Sequence, residues 1–131
     1  LPADQLEQTR ALRRHSPLPF YADESVHRAE DIPRLAGAFD GINIKLMKCG
    51  GLGEALRMIA VARAHGIAVM LGCMIESSIA ITAAAHLLPL ADAADLDGSA
   101  LLERDPFAGA VIRGGRFILP DAAGLGVRPR D

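Results

Sequence analysis

INIKLMKCGGLGEALRMIAVARAHGIAVMLGC, residues Ile42 to Cys73, decides the fold. Its first part, Ile42 to Met47, is a short apolar run that predicts a strand ending in Lys48-Cys49-Gly50-Gly51. Leu52 to His65 carries Leu52, Leu56, Ile59 and Ala60 at helical spacing, and Gly66 is a natural stop for the helix. Ile67 to Cys73 is a second apolar run of strand length. A strand, a helix and a strand joined by short connections form a βα crossover, so the two strands run parallel.

The same alternation extends outward. Upstream, Leu18 to Ala22 predicts a strand with Asp23-Glu24-Ser25 at its C-terminal end. Arg28 to Phe39 predicts a helical stretch interrupted near Pro33, and Asp4 to Arg14 a first helix with Asp4 as N-cap. Downstream, Ser78 to Leu88 predicts a helix small and apolar nearly all round, hence buried, and Ala94 to Asp97 a brief fourth strand. After Pro106 the character changes. Ala110 to Ile112 and Arg116 to Leu119, joined through Gly114-Gly115, read as a hairpin, and Pro120 to Pro129 as a loop-like tail.

About four βα units make an α/β chain with half the strands of a closed (β/α)8 TIM-type barrel. The expected division is a half-barrel over residues 1–106 and a hairpin and tail over 107–131. A lone half-barrel leaves two sheet edges open, so a second copy or an N-terminal half should cover them. The opening Leu1-Pro2-Ala3-Asp4 reads as the middle of a longer protein.

Composition narrows the classes. Half of the 131 residues are hydrophobic and the net charge is −2, which argues against disorder, nucleic acid and charged membrane surfaces. The most apolar stretch, Ile67 to Leu90, is broken by Gly72, Glu76 and two serines, short of the roughly 18 apolar residues of a spanning helix. Cys49 and Cys73 have neither a disulfide framework nor zinc-finger spacing, and a reducing, cytoplasmic setting fits them.

In a barrel, chemistry gathers at the C-terminal strand ends. Asp23 there could ligate a hard cation such as Mg2+, or simply cap a loop; Glu24 is a second ligand or a solvated neighbour. Lys45 lies inside an apolar strand: it is either a barrel-facing amine whose pKa burial lowers toward that of a base, or a lysine snorkelling from the other face. Lys48, nearer the loop, is expected at the surface. Gly50-Gly51-Leu52-Gly53 could cradle a phosphate or merely turn the chain tightly. Cys73, Met74 and Glu76 follow the third strand, and Glu76 either lines the mouth or caps the next helix. Asp95 and Asp97 flank Leu96 at strand alternation, face the same side and call for a cation between them. No Gly-x-Ser-x-Gly elbow or cysteine–histidine pairing supports nucleophilic catalysis.

These strings together resemble the muconate-lactonizing subgroup of the enolase superfamily. Tyr21-Ala22-Asp23-Glu24-Ser25-Val26 resembles its fifth-strand metal motif, and Asn43-Ile44-Lys45-Leu46-Met47-Lys48-Cys49-Gly50-Gly51 its sixth-strand base motif. Met70 to Glu76 looks like the seventh-strand segment, Asp95-Leu96-Asp97 like the Asp-x-Asp pair of dipeptide epimerases, and Gly124-Leu125-Gly126-Val127 like the C-terminal tail. The resemblance implies an isomerase that uses Mg2+ to stabilise the enediolate formed when an α-proton leaves. It implies Lys45 as one of two opposed lysines, Asp23 as one of three metal ligands with Glu24 beside it, and Asp95 and Asp97 holding a dipeptide ammonium. Cys73, Met74 and Glu76 would border the substrate. It also implies that the hairpin and tail pack on a capping domain, and that the second lysine and the other two ligands lie elsewhere, so that this chain alone is a partial, inactive site. Ala123 departs from the family by standing where a proline is common. Other members of the subgroup, muconate cycloisomerase, o-succinylbenzoate synthase and N-acylamino acid racemase, are the alternatives within it, and a non-catalytic half-barrel the alternative outside it.

Overall fold

Ile42 and Ile44 alternate along strand β2 (Gly41–Lys45) and are buried, while Asn43 and Lys45 between them are half-buried on the opposite face. Val69 and Leu71 of β3 (Ala68–Gly72) repeat the pattern. In the computed structural model, which describes residues 1–130, these are the central strands of a four-stranded sheet. β1 (Tyr21–Ala22) and β4 (Ala93–Ala94) flank them in the order β1-β2-β3-β4, and every pairing is parallel. The predicted βα alternation is therefore present.

Helix α4 (Leu52–Ala64) is the crossover between β2 and β3 and packs on both. Its buried face is Ala55, Met58, Ile59 and Ala62, whereas Leu56 and Ala60 are exposed. The expected stripe was therefore rotated: small Ala55 and Ala62 let the helix lie close on the sheet. The last helix, α5 (Ser78–Ala85), buries Ser78, Ile81, Thr82, Ala83, Ala84 and Ala85, as its small apolar sequence implies.

Several boundaries differ from expectation for identifiable reasons. Helix α1 runs Leu6–Arg13 with Gln5, not Asp4, at the N-cap, because a turn closed by Gln5 N–H on the Pro2 carbonyl precedes it. Pro33 does not interrupt a helix; it sits in the first turn of α2 (Ile32–Leu35), where its missing N–H costs nothing, after a 3-10 turn at Ala29–Asp31. The strand expected to reach Met47 stops at Lys45, and residues Leu46–Cys49 form a one-turn helix, α3. Gly50 ends it in the left-handed conformation, φ 94°. β4 stops at Ala94, so Asp95 and Asp97 lie beyond the strand.

In the C-terminal part, β6 (Val111–Arg113) and β7 (Arg116–Ile118) form the predicted hairpin, with Gly114 and Gly115 both at positive φ. The tail is not all loop: β8 (Arg128–Pro129) pairs antiparallel with β5 (Phe107–Ala108). The Ala110 N–H donates to Thr82 Oγ1 at 2.8 Å, tying this region to α5.

Candidate functional site

β1 and β2 are adjacent and parallel, so residues just past their ends share one mouth. There the Lys45 Nζ donates to Asp23 Oδ2 at 2.8 Å. Lys48 Nζ donates to Asp23 Oδ1 at 2.6 Å and to the Asp23 main-chain carbonyl at 2.7 Å, and reaches Glu24 Oε1 at 3.4 Å. Lys48 is not the surface lysine expected: its side chain is 11% exposed against 15% for Lys45. The cause is α3. A single helical turn carries residue 48 back over the strand end, and i, i+3 spacing brings both amines to one carboxylate.

The pair also revises the electrostatics. Lys45 has its pKa raised, chiefly by the hydrogen bond to Asp23, with burial opposing. It is a paired ammonium here, not an amine driven toward neutrality. Burial pushes the Asp23 carboxyl upward, but the hydrogen bonds and charges of Lys45 and Lys48 outweigh it, leaving the carboxyl below its ordinary range. Asp23 supplies the hard oxygen donor that Mg2+ prefers. Glu24 beside it is 72% exposed and touches Lys48. No group of three or more His, Cys, Asp or Glu side chains is arranged to hold a metal among the described residues. The donor chemistry fits, but one firmly placed carboxylate cannot complete the coordination of such a cation.

A second cluster lies at the β3–β4 end of the sheet. Cys73, Met74, Ile75, Asp95, Asp97, Gly98 and Leu101 line a cleft of about 310 Å³. Leu96 is buried and turns the flanking, exposed Asp95 and Asp97 outward. Cys73 Sγ lies 3.3 Å from the Asp95 carbonyl. Burial raises the Cys73 pKa against a Gly98 N–H contact, and the charges of Asp95, Asp97 and Glu76 raise it further, so the thiol stays protonated in an acidic surrounding. Glu76 does not line this cleft. Its Oε1 accepts the Met74 N–H at 2.7 Å, which braces the loop, while Oε2 is buried without a protein partner. Asn43 Oδ1, on the inner face of β2 beside Gly72, is unpartnered too.

Nor does Glu76 cap α5. That carboxylate is Asp105, whose Oδ2 accepts the Ser78 N–H at 2.9 Å and the Ser78 hydroxyl, and whose Oδ1 accepts the Phe107 N–H at 3.0 Å. The glycine loop before α4 turns the chain, with Gly50 and Gly51 both at positive φ, and Glu54 in the first turn of α4 has Oε1 accepting the Ala29 N–H at 2.8 Å and Oε2 on Arg57.

Parallel strands, crossover helices and polar groups gathered at one end of the sheet define the C-terminal half of a (β/α)8 barrel. A family model described as enolase C-terminal domain-like matches residues 1–131, the whole chain, and the chain belongs to that family. It is 48% identical over 127 residues to an L-Ala-D/L-Glu epimerase of Bacteroides thetaiotaomicron, covering 97% of this chain and 33% of that protein. A mandelate racemase/muconate lactonizing protein from Herpetosiphon aurantiacus superposes with a TM-score of 0.91 at 37% identity, covering 100% of this chain and 39% of the other. A dipeptide epimerase from Enterococcus faecalis, solved with Mg and the dipeptide L-Leu-L-Tyr, superposes with a TM-score of 0.87 at 40% identity, covering 97% and 38%. The chain thus spans about a third of the length of the curated relatives it matches. No helix among the described residues is long and apolar enough to cross a membrane.

Proposed function

We propose that the protein carrying this chain is a Mg2+-dependent dipeptide epimerase that removes and returns the α-proton next to the substrate carboxylate. The observation that carries the reading is the arrangement at the mouth. An ion-paired Lys45–Asp23 unit stands at the β1–β2 end, and the acid pair Asp95 and Asp97 at the β3–β4 end of the same sheet. A dipeptide has an ammonium at one end, opposite in sign to Asp95 and Asp97, and a carboxylate at the other, for which a cation held at Asp23 and the ammonium groups of Lys45 and Lys48 would supply the opposite charge.

The bound cation would neutralise the substrate carboxylate and the charge that develops on it as the α-proton leaves. Asp23 would hold the cation as one of its ligands, with Glu24 alongside. Lys45, an ammonium while paired, delivers a proton from Nζ to one face of the α-carbon, and takes one up in the reverse sense. Lys48 fixes Asp23 by gripping its carboxylate and its carbonyl. Asp95 and Asp97 bind the amino-terminal ammonium, with Cys73 and Met74 bordering the substrate and Glu76 stiffening the loop between β3 and α5. The other ligands and an opposed lysine would come from an N-terminal half of the same protein, and a homo-oligomer in the cytoplasm is the setting we assign. Residues 1–106 would be the barrel half, and 107–131 the hairpin and tail that meet a capping domain. Val111, Ile112, Ile118 and Leu119, exposed on the hairpin and just beyond it, favour that contact.

The related cycloisomerase, synthase and N-acyl racemase reactions use substrates without a free ammonium, so the acid pair disfavours them. A non-catalytic half-barrel has one specific observation in its favour, the absence of a complete metal-ligand group among the described residues. The deciding experiment is α-proton exchange in D2O, followed by NMR, with Mg2+ and a panel of L,L-dipeptides on the intact protein. Exchange should require Mg2+, vanish in Lys45→Ala and collapse in Asp97→Asn. Undiminished exchange in Asp97→Asn would end the dipeptide assignment.

A further inference from the structure

The two oxygens of the Asp23 carboxylate are held unequally. Lys48 Nζ donates to Oδ1 at 2.6 Å and to the Asp23 main-chain carbonyl at 2.7 Å, and lies 3.4 Å from Glu24 Oε1. Lys45 Nζ donates to Oδ2 at 2.8 Å and has no second hydrogen-bond partner among the described residues. Oδ1 is thus bound by an ammonium that is also fastened to the backbone, and Oδ2 by one that is not.

The difference comes from where the two lysines stand. Lys48 is carried by α3, the single turn that Gly50 closes, and its side chain is 11% exposed. Releasing Asp23 would cost it a carboxylate and a carbonyl together, where little water can replace them. Lys45 extends from β2, and in the epimerase reading its Nζ turns from Asp23 toward an α-carbon.

Divalent cations differ in what they ask of a carboxylate. Ca2+ accepts both oxygens of one group within a flexible shell, whereas Mg2+ demands near-octahedral geometry. The oxygens of one carboxylate stand too close together to fill two corners of a regular octahedron. A cation chelated by both oxygens of Asp23 would also face the Lys48 ammonium across Oδ1, like charge against like. A cation bound through Oδ2 alone leaves the Lys48 contacts in place.

We propose that Lys48 is a specificity-determining residue for the metal: by holding Oδ1 it limits Asp23 to ligation through one oxygen, and so favours Mg2+ over Ca2+. The inference rests on the epimerase reading, in which Asp23 is a ligand of the cation. It gives Lys48 a role beyond steadying that ligand.

The test is calorimetric titration of the intact protein, without substrate, with Mg2+ and separately with Ca2+. Binding at this site is the component lost in Asp23→Asn. The unaltered protein should bind Mg2+ more tightly than Ca2+. In Lys48→Met that ratio of affinities should narrow by about 10-fold, the lower end of what a partner of a metal ligand contributes. Taking the ratio removes the plain effect of deleting a positive charge, which favours both ions alike. Lys48→Arg keeps a cation and its donors, and should leave the ratio closer to that of the unaltered protein than Lys48→Met does. An unchanged far-UV circular dichroism spectrum checks the fold, and Lys48→Gln, neutral but still polar, serves the same comparison if Lys48→Met does not fold. Tighter binding of Ca2+ by the unaltered protein, or a ratio unmoved in the neutral variants, would overturn the inference and leave the epimerase reading standing. Absence of any Mg2+ binding that depends on Asp23 would overturn both.

Discussion

Replacing Asp105 with alanine should loosen α5 while leaving the sheet intact. The carboxylate makes three contacts: the Ser78 N–H and hydroxyl on Oδ2, and the Phe107 N–H on Oδ1. Loss of an N-cap side chain costs about 0.5–2 kcal/mol, and a buried N–H left without an acceptor costs about 1–3 kcal/mol. The two overlap at Ser78, and Asp105 is partly exposed, so about 2 kcal/mol is expected at the start of the helix. Hydrogen exchange reads this locally: the amides of Ile81 and Thr82, in the first helical bonds, should exchange about 30-fold faster. Asp105→Asn keeps an acceptor and should fall between. Acidification adds a second test. Burial pushes the Asp105 carboxyl up, but its hydrogen bonds to Ser78 and Phe107 outweigh burial and hold it below the ordinary range. A carboxylate with a depressed folded pKa contributes fully above the unfolded value of about 3.9, and that contribution is lost as pH falls through the folded value. Protection of α5 should therefore decline below about pH 4 in the natural protein, and this component should be missing in Asp105→Asn. Exchange at Ile81 and Thr82 within about threefold of the natural rate in Asp105→Ala would refute the capping argument, since an unmade bond of this type costs more than that.

Other perturbations follow from the same geometry. Lys48→Met removes one ammonium that donates to the Asp23 carboxylate and to its main-chain carbonyl, so the Asp23 carboxyl should titrate at higher pH by 13C NMR; an unmoved titration would mean that Lys45 alone sets it. Gly98→Ala sets a methyl against the Met74 carbonyl, and by analogy with overpacked cores should destabilise by about 1–3 kcal/mol, read as a lower thermal midpoint. Leu71→Ala hollows the fully buried layer between β3 and the helices and should cost about 2–5 kcal/mol in the same assay.

The central crossover was legible because strand and helix periods are local. Ile42 and Ile44 alternate with Asn43 and Lys45, so the strand puts Lys45 on one face with Asn43, whereas which of the two faces carries the packed helices is seen only in the structure. Lys48 was misread because a four-residue helix has no periodicity to see. The available signal was the Gly50-Gly51 pair, since a left-handed stop directly after Cys49 implies a turn of helix before it. Asp105 was invisible for another reason: it caps a helix 27 residues earlier in the chain, and nothing adjacent to Ser78 announces it. The α4 face was misjudged by weighting large residues. Close packing on the sheet selected Ala55 and Ala62 and left Leu56 outside. Gly98 and Leu101 became meaningful only once the 3-10 turn was seen against the segment after β3.

The bond between Ala110 N–H and Thr82 Oγ1 spans 28 residues of chain. During synthesis α5 leaves the ribosome before the segment that covers it has been translated. At about 5–20 residues per second, a helix of alanines and isoleucines waits roughly one to six seconds with its outer side bare. That interval is a window for chaperone capture or for misassociation between nascent chains. Slowing translation between Leu88 and Gly109 should lengthen the window and lower the soluble yield without altering the final structure.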